Sequence, residues 1–207
     1  MNKTITFDGS EISPSKVVCV GRNYADHISE LGNETPTAPV IFVKPNSAVS
    51  HEIYTHKTDE IHYEGELSFV IMGGRIAGVG FGLDLTKRAI QTQLKEKGLP
   101  WERAKAFDHS AVFSEFVKVE GNTADLRLAL HINGELRQSG GYELMLNKPE
   151  SLIKEVSSFM TLVDGDVLMT GTPKGVGKIN KGDLFEVKVL SKSRVLLESS
   201  WVVKSAR

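Results

Sequence analysis

A single cysteine, Cys19, in a chain of 207 residues excludes an internal disulfide and points to a reducing compartment. Charge of one sign is just as scarce, since 25 Lys and Arg against 26 Asp and Glu leave a formal net charge of −1. No broad basic field follows from that balance, which argues against a nucleic-acid partner. No apolar run nears the length of a membrane span, and the start, Met1-Asn2-Lys3-Thr4, has no long apolar core. The expectation is therefore a cytoplasmic protein with no membrane partner, in which the Asn33-Glu34-Thr35 sequon carries no meaning. Low-complexity linkers, internal repeats and composition breaks are also missing, so residues 1–207 read as one domain with room for a sizeable core.

Several signatures fail on inspection. Gly171-Thr172-Pro173-Lys174-Gly175-Val176-Gly177-Lys178 looks like a phosphate loop, but the spacing is one residue too long and Ile179 replaces the required Ser or Thr. Gly78, Gly80 and Gly82 alternate without dinucleotide-fold spacing, and they suit close approach of the backbone to another group. The six histidines show no zinc spacing, and no Gly-x-Ser-x-Gly elbow occurs.

What is present is mostly strand-like. Lys16 to Val20, Val40 to Lys44, Leu67 to Met72, Ala111 to Val119, Leu126 to Ile132, Asp166 to Thr170, Leu184 to Leu190 and Val195 to Val203 are rich in β-forming residues. Asn133-Gly134 reads as a hairpin turn, and Ser191-Lys192-Ser193 as the turn of a C-terminal hairpin. Helices are expected over Asn23 to Leu31, Thr86 to Lys97 and Glu150 to Leu162. The second carries Ala89, Ile90 and Leu94 at helical spacing, and the third should bury Leu152, Ile153, Val156 and Phe159. Strands outnumber helices without regular alternation, which predicts a mostly antiparallel or mixed β fold with a few helices, in the α+β class.

The most specific chemical feature is Glu64-Gly65-Glu66 at the head of a strand, followed by Asp84. Residues i and i+2 of a strand share a face about 7 Å apart. Two carboxylates that close repel unless a cation lies between them. Oxygen-only ligation suits Mg2+ or Mn2+, with Ca2+ as a further candidate. Spacing alone leaves open a solvated strand face. His27 and Glu30 share a helix face, where a carboxylate could orient an imidazole as general base, or simply form a surface pair. Lys105 is flanked by small and aromatic residues and is either buried beside an anion or laid along apolar surface. Arg88 and Gln91, one turn apart, could grip a carboxylate or stand in solvent.

Seven segments together resemble the fumarylacetoacetate hydrolase family, in particular its small acylpyruvase-like members. They are Val20-Gly21-Arg22-Asn23-Tyr24-Ala25-Asp26-His27, Phe42-Val43-Lys44-Pro45, Tyr63-Glu64-Gly65-Glu66-Leu67, Leu83-Asp84-Leu85-Thr86, Gly98 to Trp101 with Ala104 to Asp108, Asn133 to Gln138, and Leu168 to Gly177. They run in family order from about residue 16 to the C-terminus. The resemblance implies a rolled, sandwich-like β fold, usually a homodimer, with Mg2+ or Mn2+ on Glu64, Glu66 and Asp84. It implies that His27 and Glu30 activate water on a segment that orders as a lid. It also implies that Lys105 faces a developing enolate, with Arg22, Arg88, Gln91 and Thr172 at the substrate. One departure stands out: only Ile76 to Leu83 separates Arg75 from Asp84, where the family carries a longer insertion with a helix.

The expected activity is metal-dependent cleavage of the carbon–carbon bond of acylpyruvates, through a pyruvate enolate. The same enolate serves oxaloacetate decarboxylation or tautomerisation, and isomerisation or decarboxylation of 2-oxo-heptene-dioates fits the same pocket. A 2-oxo-acid-binding protein without turnover is the non-enzymatic alternative.

Overall fold

Runs of β-branched and aromatic residues become strands because their side chains fit a pleated, half-buried surface. The computed structural model describes residues 2–30, 32 and 34–206. A hairpin of β1 (Ile5–Phe7) and β2 (Ser10–Ile12) opens the chain. In the eight-stranded sheet, β3 (Lys16–Gly21) lies between antiparallel β4 (Val40–Pro45) and parallel β14 (Val167–Met169). Strand β14 leads to the hairpin of β7 (Gly65–Met72) and β8 (Arg75–Asp84). Beyond β8 come β10 (Ala111–Phe113), β11 (Val117–Lys118) and, against β10, β5 (Val49–Ser50). A four-stranded antiparallel sheet has the order β13 (Glu135–Gly141), β12 (Leu126–Ile132), β16 (Leu184–Ser191), β17 (Arg194–Val202). A small third sheet joins β15 (Gly177–Lys178), β6 (Ile61–Tyr63) and β9 (Thr86–Lys87).

The two large sheets share one core. Leu128, Leu130, Phe185 and Val187 from the four-stranded sheet pack with Leu67, Phe69, Phe81 and Leu83 from β7 and β8. This is the expected architecture, mostly β, rolled and sandwich-like, with a few helices. The Asn133-Gly134 hairpin forms with both residues at positive φ, 54° and 81°, as a two-residue turn of this kind requires. Lys192, at φ 56°, turns the C-terminal hairpin.

Strand β8 was not foreseen, because three glycines depress its β propensity. A Cβ on Gly78 would stand 2.6 Å from the Phe7 ring, and one on Gly80 would stand 2.8 Å from the Phe116 ring. The bare backbone lets two aromatic rings pack directly against the strand, which is the close approach that the alternation suggested. The short link to Arg75 is a tight turn at Gly73-Gly74, with φ of 56° and 69°.

The helices differ more from expectation. The first, α1 (Ala25–Glu30), starts two residues later than predicted; the predicted terminus Leu31, like Asn33 of the sequon, lies outside the described residues. The second, α2 (Arg88–Glu96), gives up Thr86 and Lys87 to β9 and buries Gln91 rather than Ala89, Ile90 and Leu94. A four-residue helix, α3 (Glu102–Lys105), was not foreseen. Finally α4 (Pro149–Ser157) takes Pro149 into its first turn and ends before Phe159, which is exposed. The predicted strand Ala111 to Val119 breaks where Ser114 Oγ accepts the N–H of Phe81 at 2.9 Å.

Candidate metal centre

Glu64 precedes β7, Glu66 sits within it, and Asp84 ends β8. The hairpin register sets Gly65 against Leu83, and Asp84 N–H donates to the Glu64 carbonyl at 2.9 Å. All three carboxylates are buried, with ligand oxygens within 4.8 Å of one another. The intervening Gly65 faces the other way, where its N–H donates to Gln138 Oε1 at 2.9 Å and a Cβ would meet the Phe81 ring at 2.8 Å. The solvated-face alternative for the glutamates is thereby excluded.

Three cations meet this cluster. Lys105 Nζ, at the end of α3, donates to Glu64 Oε2 at 2.9 Å, Asp84 Oδ2 at 2.7 Å and Thr86 Oγ1 at 2.6 Å. All three ammonium donors are thus engaged. Arg88 pairs with the second oxygen of Glu64 and donates to Gln91 Oε1 at 2.7 Å. Lys44, fully buried in β4, stands 2.8 Å from Asp84 Oδ1 and donates to the carbonyls of Lys105 and Ser110. That 2.8 Å ion pair lacks hydrogen-bond alignment, so Asp84 Oδ1 has a charge beside it but no donor pointed at it.

The electrostatics are uneven. Burial pushes the Glu64 carboxyl up, but Lys105, Arg88 and His27 together hold it well below the usual carboxylate range. Burial, Asp84 and Glu64 drive Glu66 the other way, well above it, against a 2.7 Å hydrogen bond from Gly171 N–H. Burial tends to neutralise Lys105, yet Asp84 and Glu64 outweigh it and keep the ammonium charged. Among the described residues no ion pair reaches Glu66. An all-oxygen donor set, an orphaned buried carboxylate oxygen on Asp84 and a buried carboxyl without a counter-cation fit a hard divalent ion.

Beside the triad lies a crevice of about 30 Å³ lined by Arg22, His27, Glu64, Arg88, Gln91 and Lys95, among others. Two larger hollows, about 570 Å³ beside Tyr54 and Phe107 and about 460 Å³ beside Tyr63 and Arg137, include no member of the triad. Size does not choose the site; charge does. Lys95 is pushed down by burial, then by Arg22 and Arg88, so this wall is crowded with positive charge.

His27 is buried on α1, with Nδ1 3.0 Å from Glu30 Oε2, and Glu30 Oε1 accepts Gly175 N–H at 3.0 Å. Asn23 anchors the entry to α1 by donating to the carbonyls of Thr170 at 2.8 Å and Asn147 at 2.9 Å. Thr172 Oγ1 donates to the Gly65 carbonyl at 2.9 Å and accepts from Gln138 Nε2 at 2.7 Å, which ties it to the backbone between the two glutamates. The structure therefore brings the triad, Lys105, Arg88 and Gln91 together, sets His27 and Arg22 at the crevice, and leaves Glu30 partly exposed behind His27. Lys44, Thr86, Lys95 and Gln138 were missed as site residues. The one available signal was a lysine inside an apolar strand run at position 44.

The model described as fumarylacetoacetate (FAA) hydrolase, C-terminal, matches residues 16–197. The chain belongs to this family. Among members of the fumarylacetoacetate hydrolase family, it is 42% identical over 187 residues to oxaloacetate tautomerase YcgM of Escherichia coli (strain K12), covering 82% of this chain and 85% of YcgM. It is also 42% identical over 185 residues to the mitochondrial oxaloacetate tautomerase FAHD1 of Bos taurus, covering 81% of this chain and 83% of FAHD1. Fumarylpyruvate hydrolase from Pseudomonas aeruginosa, in complex with Mn2+ and pyruvate, superposes with a TM-score of 0.89 at 29% identity, covering 99% of this chain and 96% of that one. The stretch aligned with YcgM is longer than the part of this chain that it takes in, so YcgM carries residues that are absent here.

Proposed function

We propose that the chain is a divalent-metal-dependent enzyme of 2-oxo acids whose reaction is the keto–enol tautomerisation of oxaloacetate. The observation that carries the proposal is the buried triad Glu64, Glu66 and Asp84, short of positive charge at Glu66, opening on a cation-lined crevice. The name of the relatives at 42% identity moves tautomerisation ahead of the hydrolysis expected from the sequence. Glu64, Glu66 and Asp84 would hold a Mg2+ or Mn2+ ion, which would supply Lewis acidity toward a keto group and its adjacent C–H. His27, oriented by Glu30, carries one proton between the C2 oxygen and C3, taking it from the enol O–H and delivering it to C3 for ketonisation and the reverse for enolisation. Lys105 stabilises negative charge developing on the enolate oxygen. Arg22, Arg88, Gln91 and Thr172 hold the acid in place. The protein so read is one catalytic domain over residues 1–207, a homodimer, working in the cytoplasm.

A second reading, hydrolysis of acylpyruvates, is favoured by the 3.0 Å His27–Glu30 pair and by the likeness to fumarylpyruvate hydrolase. In it His27 deprotonates a water that attacks the distal carbonyl, the carbon–carbon bond breaks, and pyruvate leaves as its enolate beside Lys105. Decarboxylation of oxaloacetate needs no attacking water.

A panel of oxaloacetate, acetylpyruvate and 2-oxo-hept-3-ene-dioate, each with Mg2+, Mn2+ and chelator, tests the proposal. Enol-to-keto conversion faster than in buffer, lost with chelator, is expected. Activity that survives complete metal removal would sink the metal-dependent reading. Tight binding of oxalate without turnover of any substrate would favour a binding protein.

A further inference from the structure

We infer that Gln138 is a positioning residue, which holds the backbone of the metal ligands and the loop behind the general base in one arrangement. The inference rests on the metal-dependent reading of the triad and of the His27–Glu30 pair, and it adds to that reaction a residue outside the crevice.

The strand that carries Gln138 is bent to deliver it. A regular strand puts residues i and i+2 on one face, so Leu136 and Gln138 should point the same way. Yet Leu136 is 58% exposed and Gln138 only 1% exposed. The cause is a bulge: Leu130 of β12 pairs with Gln138, but the next residue, His131, pairs with Leu136, which leaves Arg137 extra. A bulge of this kind re-aims the side chain beside it. It turns a neutral amide toward Gly65, the residue between the two glutamates.

Every hydrogen-bonding direction of that amide leads to the site. Strand β14 pairs with β7 only from Ser68 to Val70, so Gly65 lies past the end of that ladder. Side chains stand in for the missing strand. Gln138 Oε1 accepts the Gly65 N–H at 2.9 Å, and Thr172 Oγ1 donates to the Gly65 carbonyl at 2.9 Å. The two protons of Gln138 Nε2 go to Thr172 Oγ1 at 2.7 Å and the Pro173 carbonyl at 2.8 Å. The peptides on both sides of Gly65 are therefore clamped, and with them the spacing of Glu64 and Glu66. An apolar side chain would fill this space without the cost of burying an amide, so the gain lies in what the amide holds.

The same contacts continue to the base. Two residues after Pro173, Gly175 passes so close to the bulge that a Cβ would collide with the Arg137 carbonyl, and its φ of 98° also suits glycine. Gly175 N–H donates to Glu30 Oε1 at 3.0 Å, and Glu30 Oε2 lies 3.0 Å from His27 Nδ1. Gln138 thus ties Gly65 on one side to Thr172, Pro173 and Gly175 on the other. A shift of its amide moves the carboxylate pair and His27 relative to each other.

Gln138→Met keeps the length of the side chain and removes its hydrogen bonds. In this variant Mn2+ should bind about tenfold more weakly in calorimetric titration, the fold-change of one lost hydrogen bond. With Mn2+ saturating, kcat on oxaloacetate should fall by about a hundredfold while KM stays near wild type, the effect of a small misplacement of a reacting group. Adding Glu30→Gln should cost little further activity, because both substitutions act through His27. Hydrogen exchange of the Gly175 amide should quicken even without metal. Leu130→Val is the control for stability alone: it trims the residue opposite Gln138 and lowers the urea midpoint, and it should leave Mn2+ affinity, kcat and Gly175 exchange unchanged. If Gln138→Met does not fold, Gln138→Asn, whose amide falls one methylene short, should show the same losses. Wild-type Mn2+ affinity and Gly175 exchange in the Gln138 variant would overturn the assignment. Equal losses in Leu130→Val, or fully additive losses with Glu30→Gln, would do so too. Weaker Mn2+ binding and quickened Gly175 exchange in a protein that does not turn over oxaloacetate would uphold the clamp and defeat the tautomerase reading. If the wild type binds no Mn2+, the metal reading falls and Gly175 exchange alone decides the clamp.

Discussion

Lys44 Nζ lies 2.8 Å from Asp84 Oδ1, and both side chains are shut away from solvent. The same ammonium donates to the carbonyls of Lys105 and Ser110, so one buried charge pins the segments that carry Lys105 and β10 to the end of β8. Removing one partner of a buried pair strands the other charge in the core, at a cost of about 3–5 kcal/mol. Lys44→Met is expected to lose roughly that much, read as a lower urea midpoint at unchanged m-value. Mn2+ should restore part of the loss by supplying positive charge beside Asp84. A variant as stable as wild type without metal would contradict the arrangement.

Glu66 should release a proton when the metal binds. Burial first, then Asp84 and Glu64, raise its carboxyl well above the ordinary range. A raised carboxyl favours the folded state below the unfolded value, and that contribution is lost as pH rises through the folded value. A divalent cation needs the carboxylate, so binding expels the proton and apparent affinity should climb with pH across that interval. Calorimetry in buffers of different ionisation enthalpy should show the released proton. Glu66→Gln should bind more weakly and show no such buffer dependence, and a buffer-independent wild type would refute the assignment.

Local pattern and tertiary burial explain what could be read in advance. Glu64 and Glu66 were legible because strand geometry places i and i+2 on one face. Their union with Asp84 depends on the β7–β8 register, which no local spacing encodes, and it entered through the order of several motifs. Lys44 was passed over because a buried lysine is stable only with partners that lie 40 to 66 residues away in the chain. Helix α2 misled for the opposite reason: its apolar residues have helical spacing, but the site claims the polar face. Phe159 fits the apolar stripe of α4, yet the helix stops at Ser157 and leaves it in solvent.

Glu30 does two things, and two substitutions separate them. Oε2 faces His27 Nδ1, while Oε1 holds Gly175 N–H, both at 3.0 Å. Glu30→Gln keeps an oxygen for Gly175 but removes the carboxylate that orients the His27 ring. Its kcat should fall by about a hundredfold, the contribution of an oriented general base, with little change in Tm. Glu30→Ala should lose the same activity and also speed hydrogen exchange at Gly175. An unchanged kcat in Glu30→Gln would remove His27 from the role of base.

Gly80 and Gly74 carry different burdens, although each lies on the β7–β8 hairpin. A Cβ at Gly80 would press the Phe116 ring at 2.8 Å, and Gly80 stands four residues before Asp84 on the same strand. Overpacking of this kind costs about 1–3 kcal/mol and is relieved only by moving the strand or the ring. Gly74 has open space around it but a φ of 69°, so alanine there costs about 1–2 kcal/mol through backbone conformation alone. Both substitutions should therefore lower the urea midpoint. Only Gly80→Ala displaces β8 near its ligand end, so it alone should weaken Mn2+ binding in calorimetric titration. Equal metal affinities in the two variants would show that the position of Asp84 is held by β10 and Lys44, and not by the packing of Phe116 on β8.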